Sequence, residues 1–393
     1  MLPISPKILK WARETAGLTA AEAAEKLGVE IDKLKNWEST SGAERPGITI
    51  VRKMVTIYRR SPTVFLLSEP PQEKPLPKDF RTIGGADNRL TPAVLFAIRD
   101  AEQNRSEVGR LIEEDPSLLT VGRLGSAHLD EAPSHHAAIE RKRLNVSFED
   151  QLAWSRADVF NRWRAAVERL GVLVFLKKMP EEDCLGFSLL DANGLPTIVV
   201  NSAFESEEAR SFTLFHEYAH LILNQEGICS NFAHAKGRVE PWCNKFAGSM
   251  LIPEKIIKGL RPDLEIGRKR QWDFDELTQL ARQLRVSRQA LAIRLQDLGL
   301  ATTSLYSEVE HQLKLEKEAQ KPKPKKKVII SQHIKAVSAS EKATASVVLG
   351  ALDRGAINVL EAGAGSTGER NTGLQYSRWR LKSQRLSRAL IQP

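Results

Sequence analysis

Apolar positions recur at helical spacing through most of residues 1–69. Ile8 and Ala12 share a first face that ends near Gly17; Ala23, Ala24 and Leu27 share a second, over Ala20–Leu27. Thr19 is placed to cap that second helix, and Gly28 to leave it through a left-handed turn. Ile31–Glu38 turns Leu34 and Trp37 inward. Ile48–Arg59 is apolar at Ile48, Val51, Val55 and Tyr58, and a short helix holds Val64–Leu67. Prolines 70, 71, 75 and 77 then punctuate the chain. Helical periodicity returns over Pro92–Glu114, whereas Gly122–Ser134 shows little and reads as loop, with His128, His135 and His136 as loop residues. Ser155–Gly171 is again helical, with Val159, Trp163, Val167 and Leu170 on one side.

The period then shortens. Val172–Lys177, Gly186–Asp191 and Thr197–Asn201 read as three strands, with the turn Asp191-Ala-Asn-Gly194 between the second and third. Helices resume at Ser206–Asn224, Glu240–Leu251 and, as a pair, Phe274–Gly299. The expected units are 1–69 (helical), 70–150 (helical linker region), 151–260 (strands with the two most apolar helices), 261–320 (helical) and 321–393, which opens on a Lys-Pro linker and turns Gly/Ser/Thr-rich.

Composition changes this picture little. The 393 residues carry 41% hydrophobic and 27% charged side chains and three cysteines, which argues against a disulfide scaffold. No apolar run suits a signal peptide or a membrane span, so the expected location is the cytoplasm. Charge changes more. The net charge of +9 invites a nucleic-acid partner. Yet 14 of the 58 Lys and Arg, and only 4 of the 49 Asp and Glu, lie in 321–393. The rest of the chain is close to neutral, and the basicity is a property of the tail.

The sharpest chemistry is His216-Glu217-Tyr218-Ala219-His220 within the Ser206–Asn224 helix. A spacing of four stacks both imidazoles on one face, where they can share one Zn²⁺, with Glu217 beside them as general acid/base. Tyr218 points away from that face. A third protein ligand is needed, and the candidates are Glu226, His234 and Glu240. Glu240 fits best: it opens a new helix twenty residues after His220, an arrangement that resembles the ligand on an adjacent antiparallel helix in thermolysin-like zinc proteases. Asn244, one turn later, could brace a ligand.

These stretches carry a resemblance. Arg210-Ser-Phe-Thr-Leu-Phe-His-Glu-Tyr-Ala-His-Leu-Ile-Leu223, followed by Glu240-Pro-Trp-Cys-Asn-Lys-Phe-Ala-Gly-Ser-Met-Leu-Ile-Pro253, resembles the ImmA/IrrE family of zinc metallopeptidases, with Cys243 where that family usually has Ala. Gly17–Val29 and Leu34–Glu38 resemble the XRE-type helix-turn-helix often fused ahead of it. The resemblance implies an α+β, mostly helical fold: a helix-turn-helix bundle, a zincin-like domain whose small sheet packs on the His216–His220 helix, and a helical C-terminal region. It implies one zinc ion held by His216, His220 and Glu240, Glu217 as the catalytic residue, and a helix-turn-helix repressor or antitoxin as substrate. A substrate chain would lie extended, paired with a sheet edge near Thr197–Asn201. The alternative is a DNA-binding regulator or toxin–antitoxin component with a structural or vestigial metal site. Its DNA contacts would come from Lys33, Lys35 and Asn36 on the third helix, or from the basic tail.

Overall fold

The computed structural model describes residues 4–72, 90–118, 124–180, 183–190, 194–203, 206–224, 227–229 and 237–319. The basic tail, Glu226 and His234 lie outside them.

Four helices open the chain: α1 (Pro6–Thr15), α2 (Ala20–Leu27), α3 (Ile31–Glu38) and α4 (Ile48–Ile57), followed by a 3₁₀ turn over Pro62–Leu66. The start of α2 is a capping box, in which Thr19 accepts from the Glu22 amide and Glu22 accepts from the Thr19 amide. Its end is Gly28 at φ +70°, a left-handed conformation that costs glycine least. Ile8, Leu9, Ala12, Leu27, Leu34, Trp37, Met54 and Tyr58 close a core of their own. A bidentate pair ties α1 to α3, with Arg13 Nε and Nη2 each donating to a Glu38 carboxylate oxygen at 2.8 Å.

The long helix α5 (Pro92–Glu114) connects this unit to the rest, with Arg99 donating to the Thr15 carbonyl at 2.8 Å. Then come α6 (Pro133–Arg143), α7 (Phe148–Ala153) and α8 (Val159–Glu168). Strands β1 (Leu173–Lys177), β2 (Gly186–Leu189), β3 (Thr197–Asn201) and β4 (Gly227–Cys229) form one mixed sheet in the order β1-β3-β2-β4. β1 pairs parallel with β3, and β2 pairs antiparallel with both β3 and β4. Between β3 and β4 runs α9 (Glu207–Ile222). After the sheet come α10 (Val239–Leu251), α11 (Glu254–Leu260), α12 (Phe274–Leu284), α13 (Arg288–Asp297) and α14 (Leu305–Ala319).

Strand alternation builds a three-layer core. Leu173, Phe175, Phe187, Leu189 and Val199 pack on one side against Val94, Ala97, Ile98 and Ala101 of α5. Val174, Ile198 and Val200 face the other way, into a cluster shared by α8, α9, α10, α12 and α13. Among the described residues no helix is long and apolar enough to cross a membrane.

The structure corrects two expectations. His135 and His136 are helical, in α6, rather than loop residues. This helix buries Ala137 with His136, Glu140 and Arg141, so it has no apolar stripe for periodicity to reveal. Nor does Thr197–Asn201 offer a sheet edge. β3 lies between β1 and β2, so its backbone groups are spent on both sides; the outer strands are β1 and β4.

Candidate metal centre

Two helices bring the chemistry together. α9 is buried along nearly its whole length, from Ser211 to Ile222, because the sheet covers one side and α8 and α10 cover others. Ser206 caps its start by accepting from the Ala209 amide. Arg210 ties its first turn to the end of β3 by donating to the Ser202 carbonyl at 3.1 Å. Helix α10 packs most extensively against α9 and α6.

The C-terminus of α10 is clamped from three directions. Arg141 of α6 donates to the Met250 carbonyl at 2.6 Å, Gln151 of α7 to that of Leu251 at 3.1 Å, and Arg294 of α13 to that of Ile252 at 2.9 Å. The last carbonyls of a helix have no partner within it, and a buried helix end needs such acceptor-directed donors. Gln151 also donates to the Leu284 carbonyl at the end of α12, at 2.8 Å. Sequence patterning gave no sign of Arg141 or Gln151, since long polar side chains count as surface in any hydropathy pattern.

His216 and His220 are both buried, and their Nε2 atoms lie 3.3 Å apart. The Glu240 carboxylate faces both. Oε2 lies 3.1 Å from His216 Nε2, and Oε1 lies 3.3 Å from His220 Nε2. Ligands bound at ~2.0–2.1 Å around a tetrahedral ion stand about 3.4 Å from one another, so these separations fit three corners of a zinc site. The donor chemistry fits too: two imidazoles and a carboxylate suit zinc, and Glu240 remains a quarter exposed, which leaves the centre an approach from outside.

The Asn244 side chain completes the pattern. Its Oδ1 accepts from His216 Nδ1 at 2.9 Å, which places the ring proton on Nδ1 and the lone pair of the neutral ring on Nε2, toward His220 and Glu240. Glu217 is fully buried and backed by β2: a Cβ built on Gly186 would lie 3.3 Å from Glu217 Cγ and 2.7 Å from the Thr213 methyl. The close approach of β2 to α9 requires glycine there. Tyr218 points to the opposite side, where it donates to Glu140 Oε2 at 2.6 Å; burial first, and then the Glu140 charge, push its hydroxyl far above the ordinary range.

Burial depresses the pKa of His216. For His220 burial acts the same way, but Cys243, Glu240 and Glu217 outweigh it and raise the value well above the ordinary one. Burial would raise Glu240, yet its bonds to the two histidines hold it far below the usual carboxylate range.

Sequence spacing missed Cys243. It is buried, it is a free thiol, and its Sγ groups with a ring nitrogen from each of His216 and His220, all within 4.8 Å of one another. The signal was present in the sequence as position i+3 from Glu240, on the side of α10 that also carries Asn244.

The three side chains expected to touch DNA are exposed on α3 and partly engaged. Lys33 Nζ lies 5.9 Å from the centre of the Trp37 ring, Lys35 stands 4.0 Å from Asp32, and Asn36 Oδ1 accepts from the Glu44 amide at 3.2 Å.

Residues 167–296 match the peptidase family model described as the IrrE N-terminal-like domain. The matched stretch takes in the sheet, α9, α10 and the α12–α13 pair, and so every residue of the centre. No curated protein and no solved structure matches the chain.

Proposed function

We propose that the chain is a zinc-dependent endopeptidase, on the strength of one observation above others: His216, His220 and Glu240 converge at the spacing of a tetrahedral ion's ligands, next to a buried Glu217. Zinc held there would supply Lewis-acid polarisation of a scissile carbonyl and acidification of water. The remaining work falls to the chain. Asn244 orients His216. Glu217 accepts a proton from the attacking water and returns it to the departing amine nitrogen. The sheet and α10 keep bulk water from Glu217, which strengthens its hold on that proton. The substrate class, by resemblance, is a helix-turn-helix repressor or antitoxin, with residues 4–72 placing the peptidase near it.

Glu217→Gln keeps shape and removes the proton acceptor. Zinc content by elemental analysis should stay at one per chain, while cleavage of a repressor substrate falls by about 10²–10⁴-fold. A second reading has residues 4–72 binding DNA through the exposed Lys33 and Lys35 of α3, with the metal serving structure alone. The same variant separates the two, because on that reading Glu217→Gln changes no activity of the chain.

A further inference from the structure

Cys243 stands one residue before Asn244 and three after Glu240, so α10 directs all three toward α9. Its thiol is fully buried, unlike the partly exposed Glu240 carboxylate, and it groups with both histidine nitrogens within 4.8 Å. A cysteine packed only for volume needs no such company; Cys184 shows the contrast. That thiol lies with the α5 side of the sheet and donates to the Gly186 carbonyl at 3.2 Å.

We propose that Cys243 is itself a metal ligand, a thiolate donor that joins the imidazole nitrogens of His216 and His220 and exchanges with the Glu240 carboxylate. This rests on the reading of His216, His220 and Glu240 as a metal centre. Coordination replaces the S–H bond by a metal–sulfur bond and releases the thiol proton to solvent. A bound divalent ion makes that exchange favourable in a buried site, because it offsets the thiolate charge that burial alone would penalise. Sulfur also biases the centre toward soft, thiophilic ions over those preferring oxygen. An ion drawn to the fully buried thiol sits away from the partly exposed Glu240 side, whereas hydrolysis needs a position open to substrate. Cys243 must therefore leave the ion for catalysis to proceed, and the thiol-bound form is a latent one.

Cobalt(II) reports the sulfur directly. The full-length protein loaded with one equivalent of Co²⁺ should show a near-ultraviolet sulfur-to-cobalt charge-transfer band alongside tetrahedral d–d absorption. The band should vanish in Cys243→Ala and persist in the double variant Cys184→Ala/Cys229→Ala. Cys243→Ser, closer in size, repeats the test should the alanine variant fail to fold by circular dichroism. Tetrahedral d–d absorption without the charge-transfer band in the unmodified protein overturns the proposal and leaves the His216–His220–Glu240 centre standing. A band that survives loss of Cys243 overturns it as well. Failure to bind cobalt at all overturns both.

Discussion

Asn244 takes no part in the chemistry but decides which nitrogen His216 presents. With Asn244→Ala the Oδ1 acceptor is gone, and the ring is no longer held with Nε2 toward Glu240. Zinc affinity should fall by roughly 10–100-fold, the usual cost of losing a partner that orients a ligand, with the far-ultraviolet circular dichroism unchanged. Competition with a chromophoric chelator measures it; an unaltered affinity would show that the packing of α9 fixes the ring without help. At this scale the sequence was most readable where one helix does all the positioning. The four-residue step from His216 to His220, and from Glu240 to Asn244, needs only helical geometry. Cys243 sits on the same helix, yet its approach to His216 and His220 depends on how α10 docks on α9, which no spacing within α10 contains.

Among the elements, β2 runs close against α9 at Gly186. A Cβ on Gly186 would lie 2.7 Å from the Thr213 methyl and 2.8 Å from the Val199 carbonyl oxygen, and the latter is ladder backbone that cannot yield. Gly186→Ala should therefore push β2 away from α9. An overpacked site of this kind costs about 1–3 kcal/mol, seen as a lower melting temperature and looser zinc binding together. A melting curve identical to that of the parent would mean the sheet absorbs the methyl group. The strands β1, β2 and β3 were legible because their alternation serves two cores, one on each face. Three-residue β4 is too short to carry a period. Helix α6 hid for a different reason: it is held by Arg141, Glu140 and His136, side chains whose polarity masks their burial.

For the molecule as a whole, one apolar cluster is built from residues 4–65, within the expected helical unit 1–69, whereas another spans several of the expected units. One cluster unites α6 and α8 with α9, α10, α12 and α13, so residues before 151 and after 260 share the core that holds the metal centre. The matched stretch, 167–296, contains Arg294 but neither Arg141 nor Gln151. Produced alone, residues 167–296 should show no cooperative thermal transition by circular dichroism, whereas residues 90–319, which keep α5 on the sheet, should melt as one unit. Equal cooperativity in both would assign the clamp on α10 a minor part. Net charge gave no guide at this scale, since the basic residues in excess lie in 321–393.

The clamp also bears on the order of folding. Arg141 reaches Met250 across 109 residues, Gln151 reaches Leu251 across 100, and Gln151 reaches Leu284 across 133. Contacts so distant along the chain require long loops to close before they stabilise anything, and such closure slows folding. Helix α9 can form early from local interactions, but α10 gains its anchored end only when α6, α7 and α13 have all arrived. On the proposed reading, full metal affinity should await the docking of those helices. A chain still on the ribosome, with α13 not yet emerged, carries both histidines on α9 but lacks the Arg294 anchor at the end of α10.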